Sequence, residues 1–285
     1  MLKKLQKRNL IVYCAALVIA LILTGFSLRE EEKSMQYDIV ILGDSVVGNV
    51  MSETSIASVM EKRLGKTVFK GAFGGTSMSA RDTQMWGSIS NNEWCMVNLA
   101  EAICYNDWKS QKATMAYADH YKYVNSQALY YFSETMDTLM QIDFEQVEVL
   151  VIEHGTNDYN GGKPLDNPQD PYDETTFGGA LRKSLKLLQE AYPDLRIVVM
   201  SPIYCELGDA QNLKCYEVSF GDGGTLDEYV QLEQEIAGEF NVEWVDAYHE
   251  SGIWEDNIDE YLMDSLHLLD AGHELLGNFL AEYLE

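Results

Sequence analysis

The strongest constraint on the fold of this chain is an apolar run that stops abruptly, Tyr37-Asp38-Ile39-Val40-Ile41-Leu42-Gly43-Asp44-Ser45. Such a run of Ile, Val and Leu is typical of a strand in a parallel sheet that is covered on both faces. Ligands of open α/β sheets bind just beyond the carboxyl ends of the strands, where a nucleophile at Ser45 would be well placed. Asp and Ser are also preferred helix N-caps, so Ser45 gains a catalytic meaning only if it has partners elsewhere.

A second apolar run, residues 147–152, ends in Glu153-His154-Gly155-Thr156-Asn157-Asp158. Further strands are predicted at residues 67–69, 195–200 and 242–246, and helices at residues 55–64, 79–90, 128–142, 175–192, 226–240 and 270–283. This alternation predicts an α/β fold with a doubly wound parallel sheet. Residues 94–99 fit a strand or a buried helix. The polar and aromatic residues 101–127 fit a lid beside a substrate or an ordinary surface insertion.

Composition and charge narrow the possible partners. The chain has 285 residues, of which 46% are hydrophobic, and can bury one sizeable core. Its 46 acidic residues all follow position 29, and the formal net charge is -26. Such a surface repels nucleic acid and anionic lipid headgroups, so a neutral substrate is expected and nucleic acid is not.

The N-terminus carries a targeting signal. Residues 1–9 are basic, residues 10–26 are apolar or small, and acidic residues follow directly. This charge order is typical of a segment whose N-terminus stays in the cytoplasm. Its length lies between a signal-peptide core and a membrane-spanning helix. We expect a cytoplasmic tail (1–9), a transmembrane signal-anchor (10–26), a linker (27–35) and a catalytic domain outside the cell (36–285). The alternative is secretion after signal-peptide cleavage.

The cysteines leave two interpretations open. No Cys or His spacing suggests zinc, and no metal or cofactor is expected. Cys205 and Cys215 flank a polar loop, which they would close as a disulfide in an oxidising compartment. The alternative is a pair of free or buried thiols.

Four sequence blocks together supply what ester hydrolysis needs: a nucleophile, a base, a group that holds the base, and donors for the oxyanion. Ser45 supplies the hydroxyl group. In Asp264-Ser265-Leu266-His267, one loop can present both the base His267 and its partner Asp264. The backbone N–H groups of Ser45 and Gly75 and the side-chain amide of Asn157 are the candidate oxyanion donors. Gly75 suits this role because a residue without Cβ lets the backbone approach a substrate.

Two other histidines, His249 and His154, are further candidates for a role in the site. Asp246-Ala247-Tyr248-His249 is a second Asp-x-x-His, but it follows a predicted strand directly. Asp264 and His267 instead precede the terminal helix, which favours His267 as the base. His154, beside Gly155-Thr156-Asn157-Asp158, would either line the pocket or serve the structure.

In this order, Gly43-Asp44-Ser45, the glycine in Phe73-Gly74-Gly75-Thr76, Gly155-Thr156-Asn157-Asp158 and Asp264-Ser265-Leu266-His267 resemble the four blocks of the SGNH, or GDSL, hydrolases. The resemblance implies a flavodoxin-like three-layer α/β/α sandwich with a mostly parallel five-stranded sheet. It also implies a metal-free serine esterase with an oxyanion hole at Ser45, Gly75 and Asn157. Lys70 stands where the family often has an asparagine, which leaves Gly74 and Gly75 hard to tell apart.

The expected function is hydrolysis of small, acetyl-type esters on a carbohydrate or cell-envelope polymer outside the cell. The alternatives are a lysophospholipase or other lipid esterase, an acyltransferase of the same family, and a non-catalytic surface-binding module. The sequence leaves the acyl chain length and the oligomeric state open.

Overall fold

A five-stranded parallel sheet forms the centre of the molecule. The structure, a computed structural model, describes residues 34–48, 52–80, 92–118, 124–125, 128–129, 132–207 and 213–285. Gln36–Glu285 forms one compact unit. Its strands are β1 (Ile39–Gly43), β2 (Val68–Ala72), β3 (Val124–Asn125), β4 (Ala128–Leu129), β5 (Val149–Glu153), β6 (Arg196–Met200), β7 (Glu206–Leu207), β8 (Leu213–Lys214) and β9 (Glu243–Val245). The main sheet has the order β2-β1-β5-β6-β9, and the pairs β3-β4 and β7-β8 are short antiparallel ribbons.

Helices cover the sheet. They are α1 (Ser45–Gly48), α2 (Ile56–Leu64), α3 (Met96–Tyr105), α4 (Lys109–Ala118), α5 (Phe132–Leu139), α6 (Thr156–Asn160), α7 (Phe177–Ala191), α8 (Leu226–Glu239), α9 (Ala247–Glu250), α10 (Ile258–Tyr261) and α11 (Asp270–Leu284). Helix α2 packs on α11, and α7 packs on both α3 and α8. These helices and the sheet confirm the predicted three-layer α/β/α fold.

The strand order explains where a site can form. Counted along the chain, the five sheet strands run in the order 2-1-3-4-5, which is the flavodoxin-like arrangement. The chain moves outward in opposite directions from β1 and β5, so a crevice opens beyond their carboxyl ends. Gly43 pairs with Glu153 at the last position of these two strands. The polar residues that follow each strand therefore lie side by side.

Local sequence signals fix the helix ends. Ser55 caps α2 by accepting a hydrogen bond from the Ser58 N–H, and Gly65 ends the helix at φ 67°. In α8, Thr225 and Glu228 form a capping box. These are the positions at which the sequence predicts the two helices to begin or end.

Several predicted elements differ in the structure. The ambiguous segment 94–99 leads into helix α3, and this helix continues to Tyr105 with Ala102 and Ile103 buried. The start of the predicted insertion is therefore part of the core. The helix predicted at residues 128–142 is shorter, because Ala128–Leu129 pairs with Val124–Asn125 and α5 begins only at Phe132. The helix predicted at residues 79–90 lies mostly outside the described residues.

The predicted tail and signal-anchor, and most of the linker, also lie outside the described residues. Among the helices that the structure describes, none is long and apolar enough to cross a membrane. Cys205 and Cys215 are free thiols, and both are fully buried. The Cys215 Sγ atom lies 3.5 Å from the Tyr248 hydroxyl oxygen.

Candidate active site

Ser45, His267 and Asp264 form one hydrogen-bonded chain. The Nε2 atom of His267 lies 3.0 Å from Ser45 Oγ, and its Nδ1 atom lies 2.7 Å from Asp264 Oδ2. The pKa of Asp264 is lowered, because hydrogen bonds from the ring and backbone of His267 outweigh burial, the largest single influence, which acts to raise it. The ionised carboxylate can only accept, so Nδ1 carries the hydrogen and Nε2 presents a lone pair to the Ser45 hydroxyl.

The loop that holds Asp264 and His267 is closed on itself. Leu262 and Leu268 form an isolated antiparallel bridge, and the Met263 N–H donates to the His267 carbonyl at 2.8 Å. Inside the loop, Asp264 Oδ1 accepts from the His267 N–H at 2.7 Å. The same carboxylate thus fixes both the backbone and the ring of His267.

One residue of this loop adopts an unusual conformation. Ser265 has φ 62°, a left-handed value that costs free energy for a residue other than glycine. Its carbonyl oxygen accepts a hydrogen bond from the Glu206 N–H of β7 at 2.9 Å. The β7-β8 ribbon therefore supports the turn that aims His267 at Ser45.

Asn157 lies beside the nucleophile but is already engaged. Its Nδ2 atom donates to Asp44 Oδ2 at 2.8 Å and to the Thr76 carbonyl oxygen at 2.9 Å. Asp44 is fully buried, and its other oxygen accepts from the Val46 N–H at 2.8 Å. Both hydrogens of the Asn157 amide are used in this state, so an oxyanion would have to replace the Thr76 carbonyl as acceptor.

Gly75 lies in a tight turn after β2. The Thr76 N–H donates to the Phe73 carbonyl at 3.3 Å, and Gly75 between them has φ 75°, which glycine adopts at little cost. Of the two neighbouring glycines, Gly75 is the one with a positive φ. The Phe73 N–H donates to the Gly43 carbonyl at 2.9 Å, which ties this turn to the end of β1.

Asp158 is a residue of the site that the sequence analysis passed over. It is fully buried and accepts hydrogen bonds from the backbone N–H groups of Met78, at 2.7 Å, and Ser79, at 3.0 Å. Together with Asn157, it fastens the segment after Gly75 to the end of β5. In the sequence, the sign that Asp158 belongs to the site is its position directly after Asn157.

The competing histidines lie in different settings. His154 is fully buried, and burial lowers its pKa to about 3, so it is neutral. Among the described residues, its polar contact is with Thr76 Oγ1 at 3.4 Å, and its Nδ1 atom has no hydrogen-bond partner. This favours the structural interpretation over a pocket residue. The His249 ring contacts Asp246 at 2.9 Å, but its second nitrogen faces Asp227 at 3.8 Å rather than Ser45.

Burial raises the pKa values of three fully buried acids, Asp44 after β1, Glu153 at the end of β5 and Glu233 in α8. The pKa of Asp44 is raised to about 6, mainly by burial. The pKa of Glu153 is raised well above its ordinary value by burial and by the charge of Asp44. Burial raises the pKa of Glu233 in α8 to about 8, while a hydrogen bond from Trp244 Nε1 opposes the rise. The apolar residues of β5 did not indicate that the carboxyl group of Glu153 is buried at this site.

Comparison with known proteins identifies related folds. Residues 126–275 match the family described as GDSL-like lipase/acylhydrolase. This range contains Asn157, Asp264 and His267, whereas Ser45 and Gly75 precede it. Ser45 and Gly75 lie at the site because β1 pairs with both β2 and β5. A search of curated protein sequences gives no match.

Solved structures share the fold at low sequence identity. A protein from Lactobacillus plantarum is 19% identical with a TM-score of 0.59, and the match covers 88% of this chain and 97% of that one. A possible lipase from Chitinophaga pinensis is 16% identical with a TM-score of 0.53, covering 87% and 98%. A carbohydrate acetylesterase from Sinorhizobium meliloti is 17% identical with a TM-score of 0.50, also covering 87% and 98%.

Proposed function

Because the chain belongs to the GDSL-like lipase/acylhydrolase family, whose members hydrolyse ester bonds, we propose that it is a serine esterase with Ser45, His267 and Asp264 as its catalytic triad. The observation that carries the proposal is the 3.0 Å contact between His267 Nε2 and Ser45 Oγ. A serine hydroxyl is a weak nucleophile until a base accepts its proton, and this contact supplies that base.

The proposed reaction has two halves. Ser45 Oγ attacks the ester carbonyl while His267 Nε2 takes its proton, and His267 returns the proton to the departing alcohol as an acyl-enzyme forms. Water, activated by the same nitrogen, then releases the acid. Asp264 holds the ring in the correct tautomer and stabilises the positive charge that His267 gains in each half.

The oxyanion is proposed to bind the N–H groups of Ser45 and Gly75 and the amide of Asn157. For Asn157 this requires a partner exchange, in which the hydrogen held by the Thr76 carbonyl turns to the oxyanion while Asp44 keeps the other. A negatively charged oxygen is a stronger acceptor than a carbonyl oxygen, which supports that exchange.

For the substrate, we propose a small acyl group, acetyl in type, on a neutral carbohydrate or cell-envelope polymer. The net charge of -26 disfavours anionic substrates. The Sinorhizobium meliloti protein, which shares the fold, is a carbohydrate acetylesterase. That likeness makes acetylated carbohydrate the first substrate to test.

The test is hydrolysis of p-nitrophenyl esters of graded chain length by the wild type and Ser45→Ala. We expect activity on acetyl and propionyl esters, weak activity on long chains, and none with Ser45→Ala. Preference for long chains would indicate a lipid esterase, and no hydrolysis by the wild type would favour the binding module. A fluorophosphonate that labels a serine other than Ser45 would contradict the triad.

We also propose that residues 10–26 anchor the protein in the cell membrane with the catalytic domain outside. The basic start, the apolar run and the acidic flank support this topology. The protein should then sediment with membranes and be digested by protease added to intact cells. Recovery from the culture fluid with an N-terminus at Leu28 would establish cleavage instead.

A further inference from the structure

Glu153 is a buried acid for which the proposed mechanism has no use. It ends strand β5, whose other positions, Val149–Ile152, carry apolar side chains. The side chain is fully buried, and neither carboxyl oxygen makes a hydrogen bond of standard geometry with any described residue. A polar group without such partners costs stability, so its presence at this position calls for a functional reason.

The carboxyl group of Glu153 lies directly behind the nucleophile turn. Gly43 is its partner across the β1-β5 pairing, so both residues face the same side of the sheet. A Cβ atom on Gly43 would lie 3.2 Å from Glu153 Oε2 and 3.2 Å from the Glu153 carbonyl oxygen. The Val47 Cβ atom would lie at the same distance, so a side chain at position 43 would crowd both Glu153 and Val47.

Glu153 also faces the acid that orients Asn157. The charged and titratable groups that act on it are Asp44 after β1 and Glu233 on α8, and the backbone N–H of Asp44 faces its carboxyl group. Two or three adjacent carboxyl groups cannot all ionise in a buried site. Asp44 accepts hydrogen bonds from Asn157 and Val46, which favour its charged form, whereas neither Glu153 oxygen accepts one of standard geometry from a described residue, so we assign the neutral form to Glu153.

We propose that Glu153 is a positioning residue that acts as a neutral carboxylic acid behind the Gly43-Asp44-Ser45 turn, keeping the Asp44 carboxylate directed at Asn157. The expected effect of Glu153 on kcat rests on the proposed esterase function, whereas its effect on the Asp44–Asn157 hydrogen bond does not. If Glu153 loses its proton, its negative charge repels that of the Asp44 carboxylate, which weakens the Asp44–Asn157 hydrogen bond. The raised pKa of Glu153 is consistent with this arrangement.

The kinetic test compares the wild type with Glu153→Gln and Glu153→Leu, using a p-nitrophenyl ester over a range of pH. The wild-type kcat should fall on the alkaline side as Glu153 ionises. Glu153→Gln, a neutral side chain of the same shape, should keep kcat near pH 7 and lose the alkaline fall. Glu153→Leu should lower kcat roughly tenfold with little change in KM, because a misplaced catalytic group slows the reaction more than it weakens binding.

Glu233→Gln is the matched control, because Glu233 is also a fully buried acid of raised pKa, but its carboxyl group accepts from Trp244 Nε1, where α8 contacts β9, and is absent from the groups that act on Asp44. It should keep the alkaline fall in kcat. An inactive Glu153→Gln, or one that retains the alkaline fall, would overturn the proposal, and so would a fully active Glu153→Leu.

A second measurement does not depend on esterase activity. In NMR spectra of asparagine-labelled protein, the Asn157 side-chain amide should respond to two titration steps in the wild type and to one in Glu153→Gln. Two steps in both proteins would overturn the proposal. If Ser45→Ala leaves hydrolysis unchanged, the proposed function fails while this titration still decides the role of Glu153.

Discussion

Two Asp-x-x-His segments in this chain build nearly the same local structure in different surroundings. Asp246 accepts from the N–H of His249 at 3.0 Å and contacts its Nδ1 atom at 2.9 Å. Asp264 accepts from the N–H of His267 at 2.7 Å and contacts its Nδ1 atom at 2.7 Å. A spacing of three residues is therefore sufficient to make an oriented Asp–His pair in either place.

The two pairs differ in what the second ring nitrogen meets. The His249 side chain is 48% exposed and faces Asp227, whereas the His267 side chain is 12% exposed and faces Ser45. An exposed Asp–His pair contributes little to stability. The motif supplies the orientation of the ring in both places, whereas the tertiary fold brings a hydroxyl group, that of Ser45, to the His267 ring and a carboxylate, that of Asp227, to the His249 ring.

The largest difference between the pairs should appear when each ring is removed. His267→Ala should lower kcat for a short ester on the order of 10^6-fold, as expected for loss of a triad base. His249→Ala should keep the wild-type kcat. A normal rate for His267→Ala together with an inactive His249→Ala would transfer the catalytic role to the other segment.

A smaller difference is expected when each carboxylate is neutralised. Asp264→Asn should lower kcat on the order of 10^4-fold, because the amide no longer fixes the tautomer of His267 or stabilises its charge, although the base itself remains. Asp246→Asn is the matched control and should leave kcat unchanged. Steady-state kinetics on one ester preparation would measure both, and equal effects would contradict the distinction between the two segments.

The smallest expected effect concerns stability rather than catalysis, and here the Asp246 segment is the one that should be affected. Asp246 is the N-cap of α9, and its side chain accepts from the His249 N–H. Asp246→Ala should lower the free energy of unfolding by about 1 kcal/mol, the usual cost of losing a cap, with full activity retained. Urea denaturation monitored by circular dichroism measures this. A loss of activity in this variant at temperatures where it stays folded would show that α9 contributes to the site.

Much of the fold followed from the sequence because its strands are apolar runs bounded by clear signals. The apolar runs before Gly43 and Glu153 predicted two strands, which the structure pairs side by side, and the comparison with known families confirms the resemblance to GDSL hydrolases. Ser45, Asn157, Asp264 and His267 were predicted as site residues, and the structure brings them to one edge of the sheet. Their catalytic roles stay a prediction until the variants are measured.

The rest depended on tertiary contacts that no local pattern carries. The second half of helix α3, from residue 101, was predicted as part of a lid or surface insertion, yet Ala102 and Ile103 are buried in this helix, which packs on α7. The positive φ of Ser265 is maintained by the closed loop and by Glu206, which is distant in sequence. Glu153 was not predicted as a residue of the site. Strand periodicity indicates the face of the sheet on which a side chain lies, but not which acidic side chain lies near it.

The engaged amide of Asn157 has a consequence for how the site discriminates between states of the reaction. A ligand that offers only a neutral carbonyl gains little there, since it replaces one carbonyl acceptor, that of Thr76, with another. The tetrahedral intermediate offers a full negative charge and gains a charge-assisted hydrogen bond in the same exchange. Under the proposed mechanism, the Asn157 hydrogen bond would therefore stabilise the tetrahedral intermediate more than the bound ester, and would lower the barrier rather than the Michaelis constant.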